Sequence, residues 1–228
     1  MNHHKNKFIR LVKDHQDQGP IGRVALSWIT KNLNGVPDEI VEKLPERRMA
    51  RSGLRNYCRE QGNSVEACFL TIMAWGGMRT DHLRRVWSKR GEWQATLKQL
   101  RNTPSISRQD AFRLLSRLRA DGCLPGMRAA FFTKLIFFLR YEADGYIMDQ
   151  WTAKSINLIE GRDVVLLDRT GLVPDRVSDY NYEDFCQCIE KIGVEINQSP
   201  DKVEEMLMSR GGQKAEPWRQ YVKMHFCR

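Results

Sequence analysis

The 228-residue chain has no apolar run long enough to cross a bilayer. Its longest, Ala129 to Leu139, is broken by Thr133 and Lys134, so no membrane association is expected. Neither a GxGxxG fingerprint nor a P-loop lysine is present, which leaves nucleotide hydrolysis without support. No GxSxG element and no Cys/His nucleophile pattern stands out. The cysteines, Cys58, Cys68, Cys123, Cys186, Cys188 and Cys227, are scattered. Cys186-Gln187-Cys188 is not the CxxC pair of a zinc site, no matching His pair follows it, and no cluster suits an iron–sulfur centre. No metal and no cofactor is therefore expected. With no secretory signal before them, the cysteines read as reduced thiols of a cytoplasmic protein. Internal repeats and low-complexity linkers are missing too, and only Val164–Leu167 has the look of a strand.

What is present is helical periodicity and positive charge. Val24, Leu26, Trp28, Ile29 and Leu33 predict a helix ended by Gly35, and Pro37-Asp38-Glu39 a helix first turn. Asn63 with Glu66 predicts a capping box before a helix over Ala67–Trp75. Thr80-Asp81 opens a helix through Trp87. Ser107 with Asp110 opens another over Ala111–Arg119, which Gly122 stops. Further helices are expected at Arg128–Arg140, Gln150–Ile159, Tyr182–Ile196, Pro200–Ser209 and Glu216–Cys227. Residues 1–20, with His3, His4 and His15, read as an exposed flexible arm. About ten helices without a sheet make an all-α, two-lobed bundle, taken as a single domain over residues 1–228.

The net charge of +9 suggests a polyanionic partner, nucleic acid first. Basic residues cluster at Arg47, Arg48, Arg51 and Arg55. They cluster again at Arg79, Arg84, Arg85, Lys89 and Arg90, and near Arg113, Arg117, Arg119 and Arg128. Each cluster can equally be a solvated helix face. Trp75, Trp87 and Trp93 are read as core.

Leu124-Pro125-Gly126 sits between two helical patterns, in a hairpin over about residues 111–140. A glycine in such a turn lets backbone N–H groups approach a phosphate with no side chain in the way. The following helix aims the positive end of its dipole at the same phosphate. DNA contacts are accordingly assigned to Gly122, Leu124, Gly126, Met127 and Arg128. Tyr146-Ile147-Met148 then leads to a carboxylate, Asp149, at a helix start. An ordinary N-cap is the plain alternative.

Together the hairpin and Asp149 resemble the signature of helix-hairpin-helix DNA glycosylases, in the 8-oxoguanine glycosylase-like branch. The resemblance implies that Asp149 is the catalytic acid and that the hairpin glycines are Gly122 and Gly126. In the bifunctional branch a lysine early in the second hairpin helix attacks the sugar C1′. Here Ala130, or with a small gap Arg128, stands at that position, and neither can act. Lys134 lies one turn further along the same face, among Phe131, Phe132, Leu135 and Ile136, an apolar setting of the kind that lowers an amine pKa.

Three readings of Lys134 stay open: a bystander to water attack directed by Asp149, a displaced nucleophile, or a structural side chain. Phe131, Phe132, Trp151 and Phe185 are candidates for a base pocket, with core packing the alternative. The expected activity is excision of a flipped-out damaged base, oxidised guanine leading, by a monomer acting on double-stranded DNA and hence associated with the nucleoid. Excision of bulky hypermodified phage bases, or DNA binding without catalysis, are the other readings.

Overall fold

The computed structural model describes residues 3–142, 144–212 and 215–226. Among them are thirteen α-helices and no strand, an all-α fold as the periodicity predicts. The chain divides into two compact units, one of residues 1–17, 128–130 and 146–228, the other of residues 18–127 and 131–145.

The unit of residues 18–127 and 131–145 is built around α5 (Val65–Trp75), whose residues are all buried. Its sequence, VEACFLTIMAW, is apolar on nearly every face, as a helix enclosed on all sides requires. Against it pack α2 (Ala25–Asn32), α3 (Asp38–Val41), α4 (Arg51–Arg59) and α7 (Arg90–Asn102). Trp75, Trp87 and Trp93 are buried as expected, with Trp93 fully enclosed against Phe69 at 4.4 Å between ring centroids.

The start of α5 differs from expectation by one residue. Ser64 is the cap, accepting from Ala67 N at 3.1 Å. Asn63 instead donates to Tyr57 O at 2.8 Å, and Glu66 takes the Gln94 amide. Glu66 is thus engaged by α7 and closes no capping box.

Of the first basic cluster, Arg47 and Arg48 are exposed, but Arg51 and Arg55 do not lie on a solvated face. Arg51 and Arg55 stack on Phe137, their guanidinium carbons 4.1 and 3.9 Å from the ring centroid. A guanidinium is planar and weakly hydrated, so it is content against an aromatic face.

In the other unit α10 (Gln150–Glu160) is the central helix, packed by α1 (His3–Leu11), α11 (Asp179–Ile196), α12 (Pro200–Met208) and α13 (Pro217–His225). The expected flexible arm is an ordered helix over residues 3–11. Phe8 and Val12, four residues apart on one face, are buried, and Phe8 meets Trp218 edge-on at 5.0 Å. His4 Nδ1 pairs with the Tyr221 hydroxyl at 2.9 Å. Helix α13 ends at His225, and Cys227, the expected end of that segment, lies outside the described residues.

Val164–Leu167 is not a strand. Val164 and Val165 are buried, and the Asn157 side chain serves the Val165 backbone as a strand partner would. Its Nδ2 donates to Val165 O at 2.8 Å, and its Oδ1 accepts from Val165 N at 3.0 Å. Asn157→Ala leaves both backbone groups buried and unsatisfied, and is expected to cost about 2–4 kcal/mol. Urea unfolding checks this, and a loss below about 1 kcal/mol would show that water replaces the amide without penalty.

Candidate active site

Helix α8 (Arg108–Ala120) opens at Ser107, whose hydroxyl accepts from Asp110 N at 3.0 Å. It closes in a Schellman pattern. Gly122 N donates to Arg119 O at 3.0 Å and Cys123 N to Leu118 O at 2.9 Å, with Gly122 in the left-handed region at φ 76°. The turn continues through Gly126, also left-handed at φ 75°, and α9 (Ala129–Leu139) begins three residues later.

Leu124 and Met127 are fully buried, so they plug the turn into the protein and offer no side chain to DNA. Met127 N is used within the turn, donating to Leu124 O at 3.2 Å. Gly126 is exposed, and its N–H donates to no acceptor among the described residues. A Cβ at Gly126 would lie 3.5 Å from the His82 imidazole and 3.6 Å from the Arg85 guanidinium, both on α6 (Thr80–Trp87). The open backbone donor therefore has two basic side chains beside it. Arg128 is half exposed and faces acids, 4.0 Å from both Asp168 and Asp175.

Asp149 caps α10. Its Oδ1 accepts from Trp151 N at 2.7 Å and Thr152 N at 3.1 Å, while Thr152 Oγ1 accepts from Asp149 N at 2.9 Å, a reciprocal capping box. Oδ2 accepts no hydrogen bond among the described residues. The carboxylate is thus fixed by one oxygen and presents the other.

Three cations surround the half-buried Trp151 indole, whose ring centroid lies 4.0 Å from the Arg219 guanidinium carbon, 4.8 Å from Lys154 Nζ and 5.9 Å from Lys223 Nζ. Arg219 is pinned by hydrogen bonds to the Met208 and Ser209 carbonyls. Burial pulls its pKa down to about 10, against the opposing pull of Asp149 and Glu216. The Lys154 pKa is lowered by burial first and by Arg219 second, while Asp149 and Asp168 act to raise it. Lys154 makes no ion pair and no hydrogen bond among the described residues. Gly171, at φ 74°, makes room for it, since a Cβ there would lie 2.8 Å from Nζ.

Of the other sequence-derived residues, Lys134 is 6% exposed, and its stem runs beside Gly76, where a Cβ would lie 3.0 Å from Cδ. Its Nζ stands 5.3 Å from the Phe131 ring centroid. Lys134 belongs to the unit of α5, Asp149 to the unit of α10. Phe131 is half-buried. Phe132 is 3% exposed and packs edge-on against Phe112 at 4.9 Å, which leaves it no face for a base. Phe185 is fully buried.

Residues 16–208 match the family described as "Putative 8-oxoguanine DNA glycosylase OGG-like protein". The chain belongs to this family. No curated protein and no solved structure gives a significant match. The portion shared with this 8-oxoguanine glycosylase-like family contains the hairpin, Asp149 and Lys154, but stops short of Arg219 and Lys223 on α13. The sequence pattern had pointed to the hairpin and to Asp149, and it had not pointed to Lys154. One signal was available. Lys154 lies in the second turn of the helix that Asp149 caps, near enough for the two charges to interact. Arg219, distant in sequence, gave none.

Proposed function

We propose that this chain is a DNA glycosylase that extrudes a damaged base, oxidised guanine first, from double-stranded DNA and breaks its N-glycosidic bond at Asp149. The observation that carries this reading is the half-tethered carboxylate of Asp149. A free oxygen on a fixed negative group can stabilise the positive charge that develops at C1′ and orient an attacking water. The tether means that little reorganisation is required during reaction. Phosphate contacts at Gly126 and the neighbouring basic side chains would offset the few kcal/mol that base extrusion costs.

A second route uses an amine. The lysine Nζ forms a bond to C1′ as the C1′–N9 bond breaks, the electron pair leaves with the base, and the amine proton passes to it. Opening of the C1′–O4′ bond, with a second nitrogen proton going to O4′, leaves an imine. Two lysines compete for this role. Lys134 comes from the hairpin helix. Lys154 is favoured by its lowered pKa, its lack of an ion partner and its place in the same electrostatic cluster as Asp149.

The test is borohydride trapping on an 8-oxoguanine duplex and on a preformed abasic duplex, beside alkali cleavage, for wild type, Lys134→Arg, Lys154→Arg and Asp149→Asn. Alkali-dependent cleavage that disappears in Asp149→Asn, with no adduct, is the result expected of the water route. An adduct that maps to Lys154 or Lys134 establishes the amine route and its residue. No base release from 8-oxoguanine, alkylated, uracil-containing or hypermodified duplexes sinks the reading and leaves a DNA-binding protein without catalysis.

A further inference from the structure

One cleft in the α5 unit has no part in the site described above. It encloses about 490 Å³ between the Leu33–Gly35 loop and the junction of α6 with α7. That volume falls in the ordinary range for a ligand site, roughly 300–1,000 Å³. Asn34, Arg84, Trp87, Ser88 and Arg90 supply its side-chain polarity, and no carboxylate lines it. Arg84 is held in place by its Nε, which donates to Asn32 O at 2.8 Å. Arg90 lies 5.2 Å from the Trp87 ring centroid. Neither arginine makes an ion pair among the described residues. The neighbouring cations differ, for Arg79 and Arg85 share Asp81, and Lys89 pairs with Glu92. Two anchored guanidinium groups without counterions, in a cleft free of acids, ask for an oxyanion.

The position of the cleft says which one. His82 and Arg85 flank Gly126 of the hairpin, and Arg84 lies between them on the same helix, turned about 100° round the axis from Arg85. A strand whose phosphate sits at Gly126 and which continues over α6 reaches the cleft after crossing one helix.

We propose that this cleft is a second phosphate-binding site for the DNA strand held by the hairpin, with Arg84 and Arg90 as its ligands. The proposal rests on the reading that the chain binds duplex DNA. Its consequence is an affinity contribution that ignores base identity, because phosphates carry no sequence.

The experiment is anisotropy binding of undamaged and 8-oxoguanine duplexes across a salt series. The Arg84→Ala/Arg90→Ala double variant is expected to bind both duplexes more weakly by the same factor. Its slope of log K against log salt should be shallower by about 2, roughly 0.9 for each phosphate that is no longer neutralised. The Arg84→Lys/Arg90→Lys variant, which keeps the charges, should retain the wild-type slope, and this separates charge from folding damage.

A double alanine variant with wild-type slope and affinity overturns the proposal. If Gly126→Val weakens binding at the same time, the hairpin reading survives and only the cleft assignment fails. Wild-type protein that binds neither duplex removes both. Binding of a 5′-mononucleotide that requires Arg84 and Arg90, with duplex affinity independent of them, overturns the assignment in favour of a soluble phosphate ligand.

Discussion

Asp149→Asn is expected to slow single-turnover base release by a factor on the order of 10²–10³, with melting temperature and duplex affinity close to wild type. The separation of effects follows from the two jobs of this carboxylate. As a cap, it needs only an oxygen that accepts from Trp151 N and Thr152 N, and an asparagine amide oxygen does this about as well. As a catalyst, it must be negative where positive charge develops on the sugar, and a neutral amide is not. Asp149→Ala removes both functions and should cost about 1 kcal/mol of stability in addition to activity. Quench-flow or gel-based single-turnover assays, run beside thermal melting and anisotropy, check the three quantities together. An Asn variant that retains the wild-type rate would make Asp149 a cap alone and would remove the catalytic reading.

The largest expected loss of stability is at Gly22→Ala, far from any chemistry. Gly22 has φ 73°, and a Cβ there would lie 2.5 Å from Trp75 O, 2.6 Å from Trp75 Cα and 2.7 Å from Ala74 O. All three are backbone atoms at the end of α5, the helix on which the unit is built. They cannot swing aside as a side chain would. The approach is locked by Arg23 N, which donates to Ala74 O at 3.1 Å, and by the Arg23 guanidinium, which donates to Met78 O at 2.6 Å. Left-handed strain and overpacking together amount to roughly 3–5 kcal/mol, a large share of the usual 5–15 kcal/mol of a folded domain. Gly35→Ala is the control. Its φ is 70°, but nothing lies within 4 Å of the added carbon, so it should cost only about 1–2 kcal/mol. Denaturant unfolding of both variants measures the difference, and equal losses would mean that the backbone around Gly22 can relax.

The helices were legible because their signals are local. The caps at Ser107 and Ser199, the stop at Gly122 and the proline start at Pro200 act within one turn of chain. The misreadings share the opposite cause. At Asn63 the carbonyl of Tyr57, six residues back in the preceding helix, outcompeted the local cap. Residues 3–11 fold because Trp218 and Tyr221 wait at the far end of the chain. Arg51 and Arg55 left the solvent for Phe137, and Val165 gained its partner from an asparagine side chain. In each case a group outside the local helix signal offered the better partner.

The candidate site divides along the same line. Sequence by itself determined the all-α class, the Leu-Pro-Gly hairpin with left-handed glycines at residues 122 and 126, and the placing of Asp149 at the head of α10. Each rests on backbone preferences of residues adjacent in the chain. Only the tertiary structure decided that Leu124, Met127 and Phe132 face inward, that Gly126 lies beside His82 and Arg85, and that Lys154 and Arg219 gather on Trp151 beside the acid. Those outcomes depend on burial and on charges brought together across long stretches of chain, which no local pattern encodes.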